Sequence, residues 1–248
     1  MGWHVLNTRP ADRAEHLTQY LQSVGHQVSE LPLLAFESCV LSGADQHALQ
    51  QIALYSAVVV VSPMAAQLGL AHLARLGVVV QDLAVHWIAV GQATAQVLRQ
   101  AGVQPSVPAL ETSEGVVALP QFAELNAGQS VMLWRGVAGR DVIQLQLGRQ
   151  QVDLSNFEFY RRVMPSDLMS GWLDLTQTIG WPDVVLISSA EAWRYWQQLT
   201  GEGAMRPWLL VLGQRLFQQL QPLTPRLLAL TDLQPQTVER ALHGVMPK

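Results

Sequence analysis
Ala57-Val58-Val59-Val60-Val61-Ser62-Pro63 and, later in the chain, Val184-Val185-Leu186-Ile187-Ser188-Ser189 share one pattern: a short, unbroken apolar run that stops at small hydroxylated residues. A strand with one wet face would alternate apolar and polar side chains, so an unbroken run suits a strand covered on both faces. The runs at 131–133 and 209–212 read the same way. Between such runs lie helical stretches. Leu17, Tyr20, Leu21 and Val24 fall at i, i+3, i+4, i+7, as do Val238, Ala241, Leu242 and Val245, so each stretch is expected to bury one stripe. Repeated strand-helix alternation implies a parallel, doubly wound α/β sheet.

The two quoted runs are also part of a longer repeat. Arg9 after the first strand has a counterpart in Arg135, and Gln27-Val28 in Gln151-Val152. Ser62-Pro63-Met64-Ala65 matches Ser188-Ser189-Ala190-Glu191, and Gly91-Gln92-Ala93-Thr94 matches Gly213-Gln214-Arg215-Leu216. All four offsets lie close to half the 248-residue chain, which points to an internal duplication. Two segments, 31–37 and 157–165, look extended but carry no helix, and they occupy equivalent places in the repeats. The expected organisation is therefore a discontinuous first domain, 1–34 with 166–248, and an inserted second domain, 38–158. The two extended segments would pair as linker strands, a two-stranded β-ladder that hinges rather than flops.

Composition narrows the function. An apolar content of 49% in 248 residues is ample for two cores. A net charge of -4, with 14% charged residues, provides no broad basic face, so nucleic acid is not an expected partner. Cys39 is the single cysteine, which excludes an internal disulfide or a multi-thiol zinc site and suits a reducing cytoplasm. The start, Trp3 to Pro10, lacks the basic, apolar pattern of a secretion signal and reads as a first strand. Residues 56–74 are apolar enough to mimic a membrane span, but Ser62-Pro63 and Gln67 interrupt them, so no membrane association is expected.

In open α/β sheets, ligands gather where strands end and helices begin, because helix N-termini present unpaired N–H groups and partial positive charge. The small polar residues of this chain cluster there: Thr8-Arg9, Ser62, Gly91, Arg135-Gly136, Ser188-Ser189 and Gly213. Each also has a purely structural reading, Ser62 before Pro63 as a helix cap and Gly91 as a tight turn. Phosphate-binding glycine loops, metal-spaced His or carboxylate pairs and a Gly-x-Ser-x-Gly elbow are absent; Gly136-Val137-Ala138-Gly139-Arg140 is the nearest approach to a glycine loop. No metal or organic cofactor is expected. Trp193 and Trp196 read as core packing rather than a stacking platform. Tyr160, on a linker segment, reads either as packing or as a hydroxyl facing a cleft.

In order and spacing, these pieces resemble uroporphyrinogen-III synthase. The resemblance runs over nearly the whole chain through Thr8-Arg9-Pro10, Ser62, Ala89-Val90-Gly91-Gln92-Ala93-Thr94-Ala95 and Thr112-Ser113-Glu114-Gly115. It continues through Leu133-Trp134-Arg135-Gly136, Gly139-Arg140, Tyr160-Arg161-Arg162 with Pro165, and Val185-Leu186-Ile187-Ser188-Ser189. It implies two flavodoxin-like domains joined by a two-stranded β-ladder. The implied reaction is a lyase-type dehydration in haem, sirohaem and cobalamin biosynthesis. Hydroxymethylbilane, a linear tetrapyrrole, closes to uroporphyrinogen III with its last ring inverted, without metal or organic cofactor. Hydroxymethylbilane synthase is the implied transient partner. By resemblance, Tyr160 assists departure of the hydroxyl. Thr8, Arg9, Ser62, Gly91, Thr94, Ser113, Arg135, Gly136, Arg140, Ser188, Ser189, Gly213 and Arg215 are the implied substrate contacts. Two departures stand out: Gly213-Gln214-Arg215-Leu216 lacks the family's Gly-x-Thr-Thr hydroxyls, and Met64 replaces a basic residue found in some members.

The chemistry suits those residue types. A flexible polyanion is best met by amide and hydroxyl donors with a few arginines, and hydrogen bonds to charged groups contribute roughly 1.5–3 kcal/mol each. The substrate closes unaided to the uninverted isomer. Outrunning that route a hundredfold needs only about 2.7 kcal/mol of transition-state stabilisation. A two-domain small-molecule-binding or regulatory protein, and a sugar-nucleotide transferase, are the alternatives on fold alone.

Overall fold
The computed structural model describes residues 2–244. The chain divides into two compact units, one joining the stretch up to Ala35 to the stretch from Val163 onward, the other formed by Phe36–Arg162.

The first unit opens with β1 (His4–Asn7), α1 (Ala11–Ser23) and β2 (Gln27–Glu30). The chain then builds the second unit: β3 (Ala35–Ser38), α2 (Gly43–Gln50), β4 (Ala57–Val60), α3 (Pro63–Arg75), β5 (His86–Ala89), α4 (Gln92–Gln100), α5 (Ser113–Val117), α6 (Pro120–Ala123), β6 (Ser130–Gly136), α7 (Val142–Arg149) and β7 (Asp153–Val163). It closes the first unit with α8 (Leu168–Thr178), β8 (Val184–Ile187), α9 (Ala190–Thr200), β9 (Trp208–Leu212), α10 (Gln214–Leu220), β10 (Leu227–Leu230) and α11 (Pro235–Gly244).

The first sheet has the order β10-β9-β8-β1-β2, with parallel pairing throughout. In chain order within the unit this is 2-1-3-4-5, the flavodoxin-like order. The second sheet runs β3-β7-β6-β4-β5, with β7, β6, β4 and β5 parallel and a bridge from Ile88 to Ser106 beyond β5. Superposing the strand orders makes β6 the counterpart of β1, β7 of β2, β4 of β8 and β5 of β9. Each sequence half therefore gives its first two strands to one sheet and the rest to the other.

The unbroken runs fold as their composition requires. In β4, Val58 and Val60 enter one core layer while Ala57 and Val59 enter the other. In β8, Val185 and Ile187 face one layer and Val184 and Leu186 the opposite one. Alternate side chains of a strand point to opposite faces, so a strand with helices on both sides needs apolar residues at every position.

Some details agree with the sequence reading, among them the buried Val238, Leu242, Trp193 and Trp196, and others differ. Val24 is 41% exposed, because α1 ends at Ser23 and Val24 lies past its last turn. In the other stripe Val238 and Leu242 are fully buried, while Val245 lies outside the described residues. Within 31–37, Leu31 and Leu33 extend the pairing alongside β1 through bonds to the Asn7 and Thr8 carbonyls, and only Ala35–Ser38 forms the edge strand beside β7. The segment 157–163 is the second half of one long strand, β7. Trp193 and Trp196 are core residues, and the Trp196 indole N–H donates to the Ala204 carbonyl at 3.0 Å.

Candidate active site in the second unit
Strand-end chemistry in the second unit converges on one cavity of about 420 Å³, within the range of about 300–1,000 Å³ common for small-molecule sites. It opens where β4 and β6 lie side by side while their neighbours β5 and β7 run outward on opposite sides, the switch point at which doubly wound sheets place ligands. Ser62 enters from the end of β4, Arg135 and Gly136 from β6, Tyr160 from β7, Ser113 from α5, and Arg140 from the loop before α7. Six of the residues singled out in the sequence thus share one site.

Backbone irregularity brings Tyr160 there. Along the β6–β7 ladder Arg135 pairs with Glu158 but Gly136 pairs with Tyr160, so Phe159 is an extra residue in β7. A regular strand would send Phe159 and Tyr160 to opposite faces; with the bulge both pack in the same core layer. Close packing then fixes the ring. A Cβ on Gly136 would sit 2.6 Å from the Tyr160 Cζ, so only glycine lets the phenol lie across the end of β6. Phe36 meets the ring edge-on at 5.4 Å. Tyr160 is left 7% exposed, with its hydroxyl 3.0 Å from Ser62 Oγ. Ser62 is the N-cap of α3: its Oγ accepts the Ala65 N–H at 3.1 Å, and Pro63 occupies the first turn.

The arginines divide by task. Arg135 is 3% exposed and lies inside β6 rather than after it. Its guanidinium donates to the Gln144 Oε1 and to the Gly136 carbonyl, and pairs with Asp141 at 3.5 Å, so it braces the 136–141 loop from within. Arg140 is exposed and pairs with Glu114 at 2.9 Å. Glu114's own backbone N–H, then the Thr112 hydroxyl, hold its carboxyl below the usual carboxylate range. With Arg162 the cavity wall carries three guanidinium groups and the carboxylate of Glu111, while Arg135 and Arg140 also pair with Asp141 and Glu114.

Thr112, Glu111 and Arg162 are site residues to which the sequence reading assigned no role. Thr112 is the N-cap of α5, accepting the Gly115 N–H at 3.2 Å, and Ser113 is buried one position later. Glu111 receives the Gln92 N–H at 3.1 Å, so a carboxylate of the chain itself occupies the amide after Gly91. An acid in an irregular loop gives no sequence signal of that contact. Thr94 is buried in α4 and does not line the cavity.

The remaining candidates lie in the first unit, at the strand ends of its own sheet. The Thr8 hydroxyl is buried and donates to the Leu186 carbonyl, tying β1 to β8. Arg9 is half-buried and its backbone N–H donates to Asn7 Oδ1 at 3.3 Å. Ser189, rather than Ser188, is the N-cap of α9, accepting the Ala192 N–H at 3.1 Å. The structural counterpart of Ser62 is therefore Ser189, one residue further along than the sequence match placed it. Gly213 precedes α10 with φ +85°, and Arg215 is exposed on that helix. No cluster of three or more metal-ligating side chains occurs among the described residues. No described helix is long and apolar enough to cross a membrane.

Solved structures share this fold. A mutant uroporphyrinogen III synthase from the extremely thermophilic bacterium Thermus thermophilus matches with a TM-score of 0.65 at 15% identity, covering 98% of this chain and 100% of its own. The uroporphyrinogen-III synthetase of Helicobacter pylori matches with a TM-score of 0.61 at 12% identity, covering 98% and 99%. At such identities the likeness is one of fold. The sequence itself carries more: residues 15–224 match the family model described as uroporphyrinogen-III synthase HemD. With that match spanning most of its length, the chain belongs to the uroporphyrinogen-III synthase family.

Proposed function
We propose that the second-unit cavity is where this chain performs its family's reaction, the closure of hydroxymethylbilane to uroporphyrinogen III with inversion of the last ring and loss of water. The observation that carries this reading is a nearly buried phenol, Tyr160, hydrogen-bonded to Ser62 in a cavity walled by three arginines. The exposed guanidinium groups of Arg140 and Arg162 suit the substrate's acetate and propionate side chains, and the phenol suits its one hydroxyl.

Tyr160 donates its proton to the departing hydroxyl, and the electron pair of the breaking C–O bond leaves with it as water. The already substituted α-carbon of the far terminal pyrrole supplies the electrons of the new C–C bond, and its older bond to the bridge from the third ring then breaks, its electron pair staying with the terminal ring. The free α-carbon of that ring forms a bond to the released bridge carbon, which inverts the ring, and sheds a proton that returns to the Tyr160 oxygen. The net change is one water lost, a lyase-type dehydration. The cavity is small for four linked pyrroles, so it holds one end of the substrate. The first-unit candidates Arg9, Ser188, Ser189, Gly213 and Arg215 are further contacts in this reading, whereas Thr8 and Thr94, both buried, serve packing. A cytoplasmic setting, in keeping with the lone Cys39, and transient contact with hydroxymethylbilane synthase belong to the same reading.

The test supplies purified protein with freshly generated hydroxymethylbilane and separates the oxidised isomers by chromatography. Mostly the inverted isomer is expected; only the uninverted isomer would reject the assignment.

A further inference from the structure
We propose that Ser62 is a positioning residue that aims the Tyr160 proton into the cavity and holds the phenolate formed when that proton leaves. The proposal rests on the reading of Tyr160 as the proton donor.

A serine hydroxyl has one hydrogen to give and two lone pairs to receive with. One lone pair of Ser62 is committed to the Ala65 N–H at 3.1 Å. That bond places the oxygen at the positive end of α3, a helix of 13 residues. There the oxygen is a poorer acceptor and its hydrogen a better donor, because the N–H bond and the helix dipole both draw charge from it. Its neighbour at 3.0 Å is the Tyr160 oxygen. The favoured direction is therefore Ser62 to Tyr160, which leaves the phenolic hydrogen for the substrate. Gly136 and Phe36 hold the ring so that this direction persists. When Tyr160 gives up its proton, the Ser62 bond becomes one to an anion and strengthens. The contribution thus grows along the reaction, which is the requirement for raising kcat rather than lowering KM.

A double-mutant cycle separates this role from simple helix capping. Glycine is nearly as good an N-cap as serine but has no donor, so Ser62→Gly removes the relay and keeps the helix. Ser62→Ala is a second donorless variant, and Ser62→Thr retains the donor. Ser62→Gly is expected to lower kcat about tenfold with KM unchanged, in line with loss of one charge-assisted bond, and Ser62→Thr to restore it. In a Tyr160→Phe background Ser62→Gly should produce no further loss. An equal loss in both backgrounds, a change confined to KM, or failure of Ser62→Thr to rescue would overturn the proposal while leaving Tyr160 as donor. A Tyr160→Phe enzyme with wild-type kcat would overturn both.

Discussion
Tyr160, Ser62 and Gly136 meet within a few ångströms although they are far apart in sequence, and each answers to a different local rule. Ser62 is there because a helix needs a cap, Gly136 because the phenol lies against its backbone, and Tyr160 because a bulge turns it inward. A second residue-level arrangement sets a pH response. His26 is nearly buried, and its Nδ1 accepts the Trp3 N–H at 3.1 Å, which requires a neutral ring. Burial first, and the neighbouring His243 next, push its pKa below the ordinary 6.5, against the opposing pull of Glu239. The unfolded chain then binds the proton first as pH falls. Stability should be full above about pH 6.5 and decline below it. His72, half-buried beside Arg75, acts with the same sign. Urea midpoints at pH 7.5 and 5.5 should show a smaller decline for His26→Asn than for the parent; an identical decline would remove His26 from the account.

Helix α3 joins the site to the core of its unit. Its N-terminus presents Ser62 to the cavity, and its middle lies so close to β6 that a Cβ on Gly69 would fall 2.3 Å from the Trp134 ring. Trp134 is fully buried, edge-on to both Trp87 and Phe159, and cannot retreat without disturbing β7. Gly69→Ala should therefore cost about 1–3 kcal/mol of stability as overpacking, measurable as a lowered denaturation midpoint. It should also reduce activity, since any outward shift of α3 carries Ser62 away from Tyr160. A stable, fully active Gly69→Ala protein would show that the two elements are less tightly coupled than their spacing indicates. The strands themselves were plain in the sequence, because burial on both faces leaves an unbroken apolar signature. The bulge in β7 was not, because an extra residue in a ladder depends on its partner strand.

Taken whole, the chain repeats one plan twice yet divides its halves between two sheets. The second unit is a single continuous segment, Phe36–Arg162, with core layers on both faces of its sheet. Expressed alone, 36–162 should fold, with far-UV circular dichroism and protected amides of an α/β domain. The segment 163–244 alone should not, because β8 would lose β1, which pairs with it through Val5 and Leu6. A folded 163–244 fragment would count against that dependence. The duplication, the parallel α/β class and the family motifs could be read along the chain, since composition, periodicity and spacing are one-dimensional properties. Which polar residues share a cavity could not. Ser62, Ser113, Arg135, Gly136, Arg140 and Tyr160 converge in the second unit, while Thr8, Arg9, Ser189 and Gly213 lie at the strand ends of the other sheet. Arg135 proved to be an internal brace and Glu111 a partner for the α4 amide. Those roles depend on strand order, on a one-residue slip between β6 and β7, and on side chains brought together across long loops, all of which arise only when the backbone closes on itself.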